Sequence, residues 1–157
     1  DRMLTKLSDL LRDVLRHRDD AFVRLEEEVR YARTWLEIAK IRFGDRLAFD
    51  VDVPEDLNDV SVPLFLLQPL LENALSHGIG AVMRGGRVTL RARRADRHVT
   101  IEVIDDGAGI PPESQRREGI GLTNTRERLQ ASFGSDQTLT CEPRPGGGTV
   151  VRLEVPA

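Results

Sequence analysis

The spacing of apolar residues changes period at Gly44, and that change restricts the chain to helices first and a sheet after. Residues 3–17 (MLTKLSDLLRDVLRH) place Leu4, Leu7, Leu11 and Val14 at intervals of three and four, with Leu10 and Leu15 widening the stripe. That spacing predicts an amphipathic helix. Residues 25–43 repeat it with Leu25, Val29, Ala32, Leu36, Ala39 and Phe43. Glu26, Glu27 and Glu28 fall in the first turn of this second helix, where the helix dipole favours anions, and Gly44 stops it. Beyond Gly44 the period drops to two. LAFDVDV (47–53), RVTLRAR (87–93), HVTIEVI (98–104), QTLTCEP (137–143) and GTVVRLEVP (148–156) each alternate and predict strands. Two helical stretches interrupt them. Pro63 is read as a helix start with 65–77 (FLLQPLLENALSH) as its body, kinked or short of one hydrogen bond at Pro69 and ended by Gly78, and 122–133 carries Leu122, Leu129 and Phe133 on one side. The result is a helical segment followed by β-α-β-β-α-β-β. This is an α+β pattern in which helices cover one face of a mixed sheet.

Several function classes are excluded early. A single cysteine, Cys141, allows neither an intrachain disulfide nor a thiolate metal cluster, and on a strand it reads as a small apolar side chain. The formal net charge of −3 argues against a nucleic-acid binder. No apolar run approaches the roughly 18 residues of a membrane span, and no GxxxxGK[ST] loop is present.

Four short motifs occur in order along the chain. Glu72-Asn73, with His77 one turn on, lies on the helix after the first strand. An Asn carboxamide oxygen can join a Mg²⁺ octahedron beside phosphate oxygens, although a solvent-facing polar helix face accounts for this pattern equally. Asp105-Asp106-Gly107-Ala108-Gly109 comes directly after an apolar strand. A carboxylate there can accept from an exocyclic amine such as that of adenine, while glycines let the backbone approach a ring; a plain Asp-Gly turn is the simpler alternative. Gly119-Ile120-Gly121-Leu122 opens a helix, where free N–H groups suit phosphate. Gly146-Gly147-Gly148-Thr149 opens the last strand and by itself is a hairpin turn.

Taken together and in this order, the motifs resemble the GHKL family of ATP-binding domains, whose Bergerat fold is an α/β sandwich with a mobile lid. LLQPLLENALSHG, VIDDGAGIP and GIGLTNTRERL, with the helical stretch before them, are similar to LytS-type sensor histidine kinases. The resemblance divides the chain into a helical segment, 1–43, similar to the later part of a dimerisation region, and an ATP-binding domain, 44–157. It implies ATP and Mg²⁺ as cofactors, with Asn73 as the Mg²⁺ ligand and, with Glu72, the candidate catalytic pair. It further implies phosphate contact for His77, adenine recognition by Asp105 with Thr149 bridging through water, and close passage of Gly107 and Gly109 past the base. Gly119, Gly121 and Leu122 would frame the triphosphate, and 110–118 would form a short lid in which Arg116 and Arg117 could touch phosphate. A response regulator and a homodimer of the full-length protein are the implied partners. Nucleic acid is not among them, and direct membrane contact is not expected. The implied location is cytoplasmic, within a membrane-anchored sensor.

The sequence departs from the family in two places. Ser76 stands where a Lys is frequent, and no HFLFN-like phosphoacceptor motif is present, so the chain is expected to be part of a longer receptor. Of the three histidines, His17 at a helix end and His98 at a strand start have no such context. The alternatives are a GHKL-type ATPase, a protein-serine kinase of the anti-sigma type, and a non-catalytic nucleotide-sensing module. The water-activating Glu of the ATPases sits one turn before the Asn, where this chain has Pro69.

Overall fold

The structure, a computed structural model, describes residues 1–110 and 120–157. Helix α1 (Arg2–Arg16) is capped by Asp1, whose side chain accepts from the Met3 N–H at 3.0 Å. It turns back on helix α2 (Leu25–Phe43) as an antiparallel pair joined by Lys6–Glu37 and Arg30–Asp13 ion pairs and by the Tyr31 hydroxyl on the Asp13 carbonyl. None of the α1 residues is buried, whereas α2 buries Leu25, Tyr31, Ala32, Leu36 and Ala39. Helix α2 therefore belongs to the main core, and α1 leans on it from outside.

Strands β2 (Leu47–Asp52), β4 (Gly86–Ala95), β5 (His98–Asp105), β6 (Thr138–Pro143) and β7 (Thr149–Pro156) form one sheet in the order β2-β4-β5-β7-β6. The β2–β4 pair is parallel and the other three pairs are antiparallel, so the sheet is mixed as expected. The alternation works as the period of two demands. Val88, Leu90 and Ala92 of β4, Val99, Ile101, Val103 and Asp105 of β5, and Val151, Leu153 and Val155 of β7 are all buried. The other face is polar and bears ion pairs, among them Arg152 on Glu102 at 2.7 Å and Arg91 on Glu102 at 3.8 Å. One face is solvated and one is covered, the usual economy of a largely antiparallel sheet. The cover is α2, α3 (Gln68–Asn73) and α4 (Ile120–Phe133), with Leu36, Leu70, Leu71 and Leu129 fully buried. Each contributes roughly 2 kcal/mol of apolar burial.

The helix expected over 65–77 is corrected. Pro63 ends a short strand, β3 (Ser61–Pro63), which pairs antiparallel with β1 (Phe22–Arg24) in a separate two-stranded ribbon. Phe65 adopts φ 59°, a left-handed conformation incompatible with a helix and uncommon for a bulky residue. Helix α3 starts only at Gln68, and Pro69 lies in its first turn, where a missing N–H is harmless, so no kink arises. After Asn73 the chain widens into a single π turn, Ala74–Gly78.

Candidate nucleotide site

The last residue of β5, Asp105, is 3% exposed and lies on the covered face of the sheet. Its carboxylate accepts from the Gly107 N–H at 2.9 Å, an Asp-Gly turn closing on itself. Burial pushes the Asp105 carboxyl above the usual Asp range, with Asp106 adding to the effect and the N–H groups of Gly107 and Thr149 opposing it. Asp106, its neighbour, points elsewhere and ties the strand ends together. It accepts from the Arg87 N–H at 2.7 Å, and its carbonyl accepts from Arg84 at 2.6 Å. The two adjacent carboxylates thus have separate tasks.

Glycines surround Asp105 because nothing larger fits. A Cβ on Gly78 would lie 2.6 Å from the Asp105 Cγ and Oδ1, and one on Gly107 would lie 2.2 Å from the Gly78 carbonyl carbon. On Gly148, at φ 98°, it would lie 1.9 Å from the Asp105 carbonyl oxygen. The Ala108 N–H donates to the Gly78 carbonyl at 3.2 Å and ties the two loops together. Gly109 lies against Gly148, and Thr149 is the cross-strand partner of Asp105 and is buried. The structure therefore brings Asp105, Gly107, Gly109 and Thr149 together, and adds Gly78, which the motifs did not single out. A buried carboxylate ringed by bare backbone fits a flat heterocycle carrying an amine.

Asn73 closes the α-helical part of α3 and is half-buried, and its side chain makes no hydrogen bond to a described residue. His77 is exposed in the π turn. Glu72 is exposed and accepts from the Gln68 side chain at 3.2 Å. π turns recur at functional sites, and this one spans the distance from Asn73 to Gly78. Among the described residues no group of three or more His, Cys, Asp or Glu could hold a metal.

Gly121 and Leu122 open α4; Gly121 is exposed, Leu122 is buried, and the Thr125 hydroxyl holds the Gly121 carbonyl at 2.8 Å. A Cβ on Gly121 would sit 3.5 Å from Pro69, so α3 and α4 meet at this end. Gly119, Arg116, Arg117 and most of the 110–118 lid lie outside the described residues. An apolar cavity of about 490 Å³ lies away from this site, between α1, α2 and α3, lined by Leu7, Leu10, Val14, Trp35 and Leu71 among others.

The remaining histidines are engaged in ion pairs or hydrogen bonds. His17 meets Asp20 at 2.8 Å, and His98 meets Asp136 at 2.6 Å.

A mixed sheet covered on one face, with an Asp–Gly cradle at the end of a central strand and an Asn helix beside it, is the Bergerat fold. The chain belongs to the family described as Histidine kinase-, DNA gyrase B-, and HSP90-like ATPase, whose model matches residues 59–157, and a second model, described as Histidine kinase, matches 1–47. The Sensor histidine kinase BtsS of Escherichia coli (strain K12) is 33% identical over 155 residues, covering 99% of this chain and 27% of that protein. The chain thus spans about a quarter of that curated relative's length. A histidine kinase domain from the Erythrobacter litoralis EL346 blue-light activated histidine kinase superposes with a TM-score of 0.67 at 24% identity, covering 98% of this chain and 74% of that one. Histidine kinase ThkA, solved in complex with response regulator protein TrrA, gives 0.63 at 17% identity, covering 98% and 48%. Both likenesses are of fold: this is the fold of a histidine kinase catalytic domain, in a family that typically binds ATP and Mg²⁺.

Proposed function

We propose that the chain is the ATP-binding catalytic part of a sensor histidine kinase and transfers the γ-phosphoryl of ATP to a histidine outside these 157 residues. The observation that carries this reading is the buried Asp105 carboxylate in its cradle of Gly78, Gly107 and Gly148, the first of which ends the turn that follows the half-buried Asn73. Asp105 accepts from the adenine amine, with Thr149 behind it. Gly107 and Gly109 offer backbone to the face of the base. Asn73 ligands Mg²⁺ through its carboxamide oxygen, and His77, Gly119, Gly121 and Leu122 lie along the phosphates. Mg²⁺, when bound, neutralises charge on the β- and γ-phosphates during transfer. The protein's share is therefore positioning and charge, and an exposed Glu72 held by Gln68 contributes at most at the edge of the site. Pro69 in the position of the hydrolases' base supports transfer over hydrolysis.

On the motif wording we assign the LytS type, with 1–43 as the later part of the dimerisation region and 44–157 as the ATP-binding domain. The partners of the whole protein would be a response regulator, as in the ThkA complex, and a second copy of the chain. The leucines of α1 left exposed, Leu4, Leu7, Leu11 and Leu15, fit that second copy. No helix among the described residues is long and apolar enough to cross a membrane, and we place this part on the cytoplasmic side of a membrane-anchored sensor.

Calorimetry with Mg·ATP and with adenosine tests the reading. Asn73→Ala should weaken Mg·ATP and spare adenosine. Asp105→Ala should weaken both by about 1.5–3 kcal/mol, the worth of a hydrogen bond to a charged acceptor, and should erase discrimination between ATP and GTP. Equal losses of both ligands in Asn73→Ala would sink the Mg²⁺ assignment.

A further inference from the structure

Glu28 occupies a position on α2 that its neighbours give to the core. It lies three residues after Leu25 and four before Ala32, both buried, and is itself 2% exposed. Its carboxylate accepts from two backbone N–H groups of the segment before α3, those of Phe65 and, at 3.1 Å, Leu67. The same segment is also held by Arg128 of α4. Arg128 donates to the Leu64 carbonyl and, at 3.3 Å, to that of Phe65. Donors and acceptors of 64–67 are thus taken up by two side chains from two different helices, and between them Phe65 is kept at φ 59°. A left-handed bulky residue costs about 1–2 kcal/mol and persists only where its surroundings hold it. Leu67 is the residue immediately before α3, and no side chain of α3's own sequence caps the helix.

From this geometry we infer that Glu28 and Arg128 are positioning residues for the metal and phosphate half of the nucleotide site, fixing α3 and α4 against each other and tying both to α2. The inference rests on the nucleotide reading above. The two helices so fixed carry Asn73 and Gly121, and they meet where Gly121 approaches Pro69. Asp105 stands outside the clamp. It ends β5, which is hydrogen-bonded on both sides by β4 and β7. The clamp therefore governs one half of the site and leaves the other to the sheet. It also gives the helical segment a polar connection to the ligand: displacing α2 pulls Glu28, and with it the entry to α3.

Glutamine at position 28 has one acceptor oxygen and one donor group, so it serves one of the two N–H groups and opposes the other. Glu28→Gln and Arg128→Gln should each weaken Mg·ATP about 10- to 100-fold, as loss of a group supporting a metal ligand does, while adenosine affinity changes less than about twofold. The double variant should lose little more than either single one, because both hold the same segment. Calorimetry of the 157-residue chain with each ligand reads this, and thermal unfolding of the same samples identifies a variant that fails to fold. Should Glu28→Gln not fold, Arg128→Gln still decides. Equal loss of both ligands, or of neither, would overturn the inference while leaving the nucleotide reading intact. A parent protein that binds neither ligand would overturn the nucleotide reading, and the inference with it.

Discussion

Gly78 and Asp105 stand in direct contact, backbone against carboxylate, so closely that a Cβ on Gly78 would lie 2.6 Å from the Asp105 Cγ. The end of the Asn helix and the end of the central strand meet at this point. Gly78→Ala should therefore push the Asp105 side chain out of its place without disturbing β5, whose ladder to β4 and β7 does not involve Gly78. Adenosine affinity is expected to fall about tenfold, which corresponds to roughly 1.4 kcal/mol. Titration calorimetry checks this, and parental affinity in Gly78→Ala would remove the cradle from the account of adenine binding.

The three consecutive glycines before Thr149 should respond unequally to alanine. Gly146 and Gly147 have open space around them, so Gly146→Ala at φ 86° should cost only the backbone strain, about 1–2 kcal/mol. At Gly148 the new Cβ would also strike the Asp105 carbonyl oxygen at 1.9 Å. Gly148→Ala should lower the melting temperature clearly more than Gly146→Ala, as differential scanning calorimetry would read.

Stability should depend on pH through Glu28. Burial raises its carboxyl to about 7, against the pull of the Leu67 and Phe65 N–H groups and of Arg128. An unfolded Glu titrates near ~4.3, so between these values the native state binds more protons than the unfolded one. The Glu28 contribution to the unfolding free energy should then fall as pH rises through that window, by on the order of 3 kcal/mol, and level off above it. Urea unfolding at about pH 5 and about pH 8, compared between parent and Glu28→Gln, isolates the slope. A Glu28-dependent stability that rises over the window would contradict the burial of the group.

Self-association should depend on α1. Leu4 and Leu15 are 62% and 55% exposed and stand on one side of that helix. Replacing both by Glu should shift sedimentation toward monomer while adenosine affinity stays at the parental value. Unchanged sedimentation would exclude the α1 leucines from the contact.

The long periodic elements were legible in the sequence because each rests on a repeated period, whereas the cross-strand pairing of Asp105 with Thr149 follows from the β5–β7 register, which no local pattern states. β1 and β3 were not: three residues each, Phe22–Arg24 and Ser61–Pro63, are too short to show a period, and Pro63 ends a strand as readily as it starts a helix. The late start of α3 turns on φ 59° at Phe65, which no local residue preference announces. Glu28 reads as one of three acids favoured by the α2 dipole. Its place on the Leu25–Ala32–Leu36 stripe was the available sign that it is buried, and the N–H groups that make burial tolerable come from 37 and 39 residues away.

The π turn Ala74–Gly78 gives this stretch one residue of slack. A π turn holds about one residue more than an α turn, so removing one residue from 74–77 would tighten the turn to an α turn while the chain before and after it stays near its present place. The slot beside Asp105, which admits no side chain, would then still be filled by Gly78. The stretch after it has no such slack: Ile79 is fully buried, the Val82 carbonyl accepts from Arg46 at 2.9 Å and Arg84 donates to the Asp106 carbonyl at 2.6 Å, while Met83 between them stands 94% exposed.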